Sequence, residues 1–139
     1  RFGDPETQPV MLRLQSDLVD LVEAAIDERL DTVEAQWDPR PSLGVVMAAS
    51  PYPETPITGE VIHGLDAVAA TAKVFHAGTT LDAQGQVLSA GGRVLCVAAL
   101  GGTVGEAQRN AYAGVGAIHW AHEFHRGDIG WRAIAREQG

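Results

Sequence analysis

Two stretches of this chain combine residue types that can hold an anion. Arg1 is followed closely by the carboxylates of Asp4 and Glu6, and far downstream Gly91-Gly92-Arg93 sets two glycines before an arginine. A guanidinium is a planar fork that grips a carboxylate or phosphate through two parallel hydrogen bonds. Glycines let the backbone come close to a ligand, and an arginine that opens a strand has its head group aimed in a set direction. Each feature also has a plainer reading. Asp4 and Glu6 suit the capping of a helix start, where free amides and the helix dipole favour negative charge. Gly91 and Gly92 suit a hairpin turn that leaves Arg93 in water.

Three further features invite chemistry. His119, His122 and His125 recur every third residue, a spacing that brings imidazoles together at a helix end, but zinc wants a fourth ligand that the pattern lacks. Cys96 sits among apolar residues in an alternating run and reads as a buried structural thiol. Trp131 can stack a base, yet an aromatic anchor for a terminal helix accounts for it more simply.

The elements that must position these residues follow from periodicity and punctuation. Asp4-Pro5-Glu6 reads as a helix start, with Asp4 as cap and Pro5 at the first helical position, soon interrupted by Pro9. Leu18, Leu21, Val22, Ala25 and Ile26 recur at helical spacing behind Ser16 or Asp17, so a helix is expected there, ending near Leu30. Residues 37–42 hold two prolines and few apolar side chains and mark a boundary between two units.

Short β-rich runs then follow at 43–49, 60–65, 73–79, 86–89 and 93–100, nearly all separated by glycine or proline. Such short runs fit an antiparallel sheet, because parallel crossovers need about a dozen residues each. Asp82 to Gly85 is the expected hairpin turn. Thr103 and Glu106 make a T-x-x-E capping box, after which Val104, Gln108, Ala111, Val115 and Ile118 share one helical face. A last short helix is expected over 129–137.

Composition bounds the function classes. A chain of 139 residues with 45% apolar content can bury one good core, about two-thirds of its unfolded surface. Eighteen acidic against ten basic residues give a net charge of -8, which repels nucleic acid. A single cysteine fits a reducing compartment, with the cytoplasm as default. No apolar run approaches the roughly 20 residues of a membrane span. Arg1 stands where a methionine would begin a chain, and sequence information is dense from the first residue, so a piece of a longer chain is expected.

The opening Arg1-Phe2-Gly3-Asp4-Pro5-Glu6-Thr7-Gln8 resembles the signature segment of the glycinamide ribonucleotide synthetase family, in the ATP-grasp superfamily. The resemblance continues in family order through LGVVMAAS (43–50), KVFHAGT (73–79), GGRVLCVAALG (91–101) and DIGWRAI (128–134). It implies ATP, glycine and 5-phosphoribosylamine as substrates, joined through an acyl phosphate. Charge that builds in such a reaction needs fixed positive groups and magnesium or manganese.

Residue by residue, the resemblance implies that Arg1 stabilises that charge and that Asp4 orients the substrate amine. Glu6, His76, Gly91, Gly92 and Arg93 are implied to bind substrate, with Arg93 on the sugar phosphate. His76 stands near where relatives carry a lysine. The metal-binding glutamate and asparagine are implied to lie before Arg1, so no metal ligand is expected in this chain. Ser50-Pro51-Tyr52-Pro53-Glu54 departs from the glycine-rich loop of the family, and its prolines stiffen it.

The architecture expected is therefore α+β: residues 1–37 as the end of an ATP-grasp catalytic domain, and 38–139 as a small antiparallel β-domain with one long helix. Without the N-terminal and ATP-binding domains, the piece is expected to bind no ATP or metal and to be inactive alone. The alternative is a non-catalytic docking or binding module with at most weak sugar-phosphate affinity. A biotin- or lipoyl-carrying domain fails because the only lysine, Lys73, lies in Ala72-Lys73-Val74 with no hairpin turn around it.

Overall fold

The computed structural model describes residues 2–139. Helix α1 spans Thr7–Arg13, with Glu6 at the capping position but no side-chain cap bond. Asp4 is thus not the cap, and Pro5 precedes the helix. Pro9 does not interrupt it either, because it falls in the first turn, where amides have no intrahelical acceptor and a missing one costs nothing.

Helix α2, Leu18–Ile26, is capped by Asp17, whose Oδ1 accepts from the Val19 amide at 2.7 Å. It stops short of Leu30, because Glu28 adopts the left-handed φ of 55°; a 3-10 turn over Leu30–Thr32 follows. Only Ala24 of α2 is buried, and Val19, Val22 and Ile26 face solvent.

The β-rich part is built on strands β1 (Ser42–Ala49), β2 (Ala72–His76), β3 (Thr79–Leu81), β4 (Val87–Ser89), β5 (Arg93–Leu100) and β6 (Glu123–His125). Four of these form one antiparallel sheet in the order β2-β5-β1-β6, while β3 and β4 pair as a separate hairpin. The expected α+β class with antiparallel pairing is what the chain forms. The expected strand at 60–65 is instead extended chain with isolated bridges from Val61 to Leu88 and from His63 to His119. The run at 73–79 divides between β2 and β3.

The hairpin turn at Asp82 forms as expected. Asp82 Oδ1 accepts from the amides of Gln84 and Gln86 at 2.9 and 2.8 Å, and Gly85 takes a φ of +79° that favours glycine.

Helix α3, Val104–Ala117, crosses one face of the sheet. Thr103 Oγ1 accepts from the Glu106 amide at 3.1 Å, while Glu106 Oε2 accepts from Gly102 at 2.6 Å, one residue before the position a capping box uses. Ala107, Ala111 and Val115 pack with Leu43, Val45, Met47, Leu95, Val97 and Ala99 in the core. Burial of each larger aliphatic side chain here contributes about 1.5–3 kcal/mol. Gly114 lets the helix sit down closely, because a methyl there would stand 2.8 Å from Val97 Cγ1.

The last helix, α4, covers Trp131–Gln138. Trp131 does not anchor it: its side chain is exposed, with the Arg132 guanidinium 5.2 Å from the ring centre. The anchor is Glu137, whose carboxylate accepts from the Val104 amide at 2.8 and 3.0 Å and so caps α3 from outside.

Candidate functional site

Because side chains alternate along β1, the residues between its core positions (Gly44, Val46 and Ala48) face the other side of the sheet. There α1 packs across, and Gly44 makes room for it, since a methyl would stand 3.0 Å from Pro9 Cγ. Beside α1 lies a cavity of about 380 Å³, floored by Val46 and Ala48, with Pro5, Tyr52, Arg93 and His125 among its walls.

Arg93 is the organising cation of this cavity. Its Nη1 donates to the Asp4 carbonyl at 2.8 Å and to Asp4 Oδ2 at 3.1 Å, and its Nε donates to the Tyr52 hydroxyl at 2.9 Å. The guanidinium also lies 5.6 Å from the Tyr52 ring centre. The Tyr52 and Asp4 bonds together push the Arg93 pKa further above its ordinary value.

Gly92 serves this arrangement directly: a methyl on it would stand 2.5 Å from Tyr52 Cδ2. Gly91 packs on Gly78, where a methyl on Gly91 would come 3.3 Å from the Gly78 Cα. Neither Gly91 nor Gly92 has a positive φ, so turn geometry does not demand them.

Of the residues singled out from sequence, Arg93 lines this cavity, Asp4 is bonded to it, and Gly92 lies against the neighbouring Tyr52 ring. Glu6 is exposed, with its carboxylate folded toward Gly3. His76 lies apart, in register with Leu95 on the helix-covered side, with Nδ1 3.1 Å from Thr79 Oγ1. Arg1 lies outside the described residues.

The sequence reasoning missed Tyr52 and the β6 wall. Tyr52 sits between two prolines in a segment read only as a stiff loop; an aromatic fixed on both sides by proline was the available signal. His125 lines the cavity with Nδ1 2.5 Å from Glu123 Oε1, and neighbouring Arg126 is paired with Asp128 at 2.7 Å. Each basic side chain around the cavity thus has a carboxylate partner within the chain.

The histidine series does not converge at a helix end. His122 Nδ1 pairs with Glu60 at 2.5 Å, His119 stacks on His63 with centroids 5.3 Å apart, and His125 is in β6. Among the described residues no three His, Cys, Asp or Glu side chains are placed to share a metal ion. The cavity's donor set, a guanidinium and a phenol with Asp4 already engaged, fits an anion and does not fit a magnesium ion, which wants carboxylate and phosphate oxygens.

Cys96, on β5, is 2% exposed, and burial, helped by the charge of Asp4, pushes its thiol up to about 11. It stays protonated and inert. A larger cavity of about 700 Å³ opens at the far end of β5, between Arg40, Lys73, Gly101 and Glu106. Arg40 there is held by Asp38 at 2.6 Å. No helix among the described residues is long and apolar enough to cross a membrane.

The fold and cavity define an α+β domain whose antiparallel sheet carries α3 on one face and, beside α1 on the other, a cavity centred on Arg93. The chain belongs to the family described as "Phosphoribosylglycinamide synthetase, C domain", whose model matches residues 42–132. It is 79% identical over 138 residues to the phosphoribosylamine–glycine ligase of Xanthomonas campestris pv. campestris, covering 99% of this chain and 32% of that protein. Against the ligase of the same name from Escherichia coli K12 it is 61% identical over 139 residues, again 99% and 32%.

The crystal structure of the phosphoribosylamine–glycine ligase of Thermotoga maritima superposes with a TM-score of 0.70 at 28% identity, over 92% of this chain and 31% of that one. The chain therefore spans about a third of the length of the relatives it matches.

Proposed function

We propose that this chain acts as the C-terminal part of a phosphoribosylamine–glycine ligase of purine biosynthesis, in the ATP-grasp superfamily. Residues 1–37 close the catalytic domain and 38–139 form the β-domain that walls the active site. In the whole enzyme the glycine carboxylate takes the γ-phosphoryl group of ATP, releasing ADP, and the amine of 5-phosphoribosylamine then displaces phosphate to give glycinamide ribonucleotide. ATP, with magnesium or manganese, belongs to the part of the ligase outside this chain.

One observation carries the reading: the two segments that resemble the ligase most specifically, Phe2 to Gln8 and Gly91 to Gly101, meet at one cavity through Arg93 and Asp4. Arg93 receives the ribose phosphate, Asp4 orients the amine, and Arg1 stabilises charge that grows in the transition state. Gly92 makes room for the Tyr52 ring on the cavity wall, whereas Glu6 and Gly91 lie off the cavity and His76 is turned to the α3-covered side of the sheet. A buried lone cysteine fits a cytoplasmic enzyme.

The exposed apolar stripe of α2, with Val19 61% and Ile26 74% exposed, favours a docking role alongside the catalytic one. The remainder of the ligase is its occupant, and this chain alone neither binds ATP nor turns over.

The test is kinetic. In a ligase containing this chain, Arg93→Ala should raise KM for phosphoribosylamine by about 10- to 100-fold, the scale of one charge-assisted contact, with the constants for ATP and glycine unmoved. An unchanged KM, or saturable magnesium-dependent ATP binding by this chain alone, sinks the proposal.

A further inference from the structure

Arg93 is a long, flexible side chain with two of its faces already engaged. Its Nη1 side carries Asp4, half exposed and open to exchange; its Nε side carries Tyr52. The two contacts differ in kind. Asp4 is an anion and competes with any other anion for the same N–H groups, whereas the Tyr52 hydroxyl is neutral and accepts from Nε without neutralising the guanidinium.

Tyr52 is itself held in place. Pro51 and Pro53 flank it, the Tyr52 amide donates to the Ala49 carbonyl at 3.0 Å, and the missing side chain of Gly92 leaves the space its ring fills. Ala49 in turn donates to the Gly92 carbonyl at 2.9 Å, so the loop and the start of β5 are tied together.

We propose that Tyr52 is a positioning residue for phosphate binding: it fixes the Nε edge of Arg93 so that the guanidinium stays aimed into the cavity when a phosphate monoester displaces Asp4 from Nη1. This rests on the reading of Arg93 given above. Without the phenol, Arg93 follows Asp4 or swings to water, and the entropy of ordering it falls on substrate binding.

Four ligase forms test this: unmodified, Tyr52→Phe, Arg93→Ala and the double variant. Tyr52→Phe keeps the ring and should raise KM for phosphoribosylamine by about 3- to 10-fold, as for one lost hydrogen bond. KM for ATP and glycine should not move, and neither should kcat. The double variant should be no worse than Arg93→Ala alone, because the phenol acts only through the guanidinium.

If Arg93→Ala raises KM while Tyr52→Phe does not, or if the two losses multiply, the positioning role is overturned and the reading of Arg93 stands. If Arg93→Ala leaves KM unchanged, both fall together. A general loss of kcat or thermal stability in Tyr52→Phe, without the selective rise in KM, also overturns it.

Discussion

Arg93 and Asp4, 89 residues apart in sequence, are joined at 3.1 Å between Nη1 and Oδ2. The pair ties the segment before α1 to the first residue of β5. Both side chains are more than a third exposed, so solvent screens the attraction, and its value lies in geometry more than in stability. A half-exposed counter-anion can be exchanged for a ligand.

Asp4→Asn removes the competing charge and keeps the shape. KM for phosphoribosylamine should therefore hold or fall, while kcat drops by about 10-fold or more if the carboxylate orients the amine. Steady-state kinetics on the ligase decide it. A rise in KM with normal kcat would show Asp4 acting on the substrate's binding instead.

Only part of this pairing was legible. The residue types of Asp4 and Arg93 suggested anion chemistry, but their direct contact could not be read, because nothing local in either segment points across the chain. The Thr103 cap of α3 was readable for the opposite reason: its hydroxyl accepts from the amide of Glu106, only three residues on. Arg93 to Leu100 was likewise readable as a strand. Its apolar run has the length and β-branched content of a buried strand, bounded by glycines.

Glu123-Phe124-His125 was not readable. Three residues with two polar side chains carry no periodicity, and they are a strand only because β1 offers a free edge. The stripe on α2 was recognised as helical, but its exposure could not be read from a pattern that also fits a buried face.

Asp38 provides a pH signature. Hydrogen bonds from Arg40 hold its carboxyl down at about 2 from an ordinary 3.8. A depressed carboxyl stabilises the fold above the unfolded value and loses that contribution as pH falls through the folded one. The window is therefore pH 4 to 2, as bounded by these two values. Denaturant midpoints measured across it should fall more steeply for the unmodified chain than for Arg40→Gln. Parallel curves would show that the pair carries no linkage.

Glu137 caps α3 from the last helix, accepting from the Val104 amide with both oxygens. Glu137→Ala should cost about 1 kcal/mol, typical of a lost helix cap, and lower Tm by about 3 °C in a domain of this size. Thermal unfolding by circular dichroism reads it. Thr103 still caps the same turn, so a much larger loss would mean that α4 undocks altogether.

The central pair of the sheet has a further consequence, for the newly made chain. In register Ser42 meets Leu100 and Ala48 meets Arg93, so β1 waits for about fifty more residues before its partner exists, a loop whose closure is entropically unfavourable. At ribosomal rates of about 5–20 residues per second, that is a delay of seconds. Throughout it, Leu43, Val45, Val46 and Met47 form an unpaired apolar strand. Such a segment is what a chaperone binds, and what would associate between nascent chains if none were there.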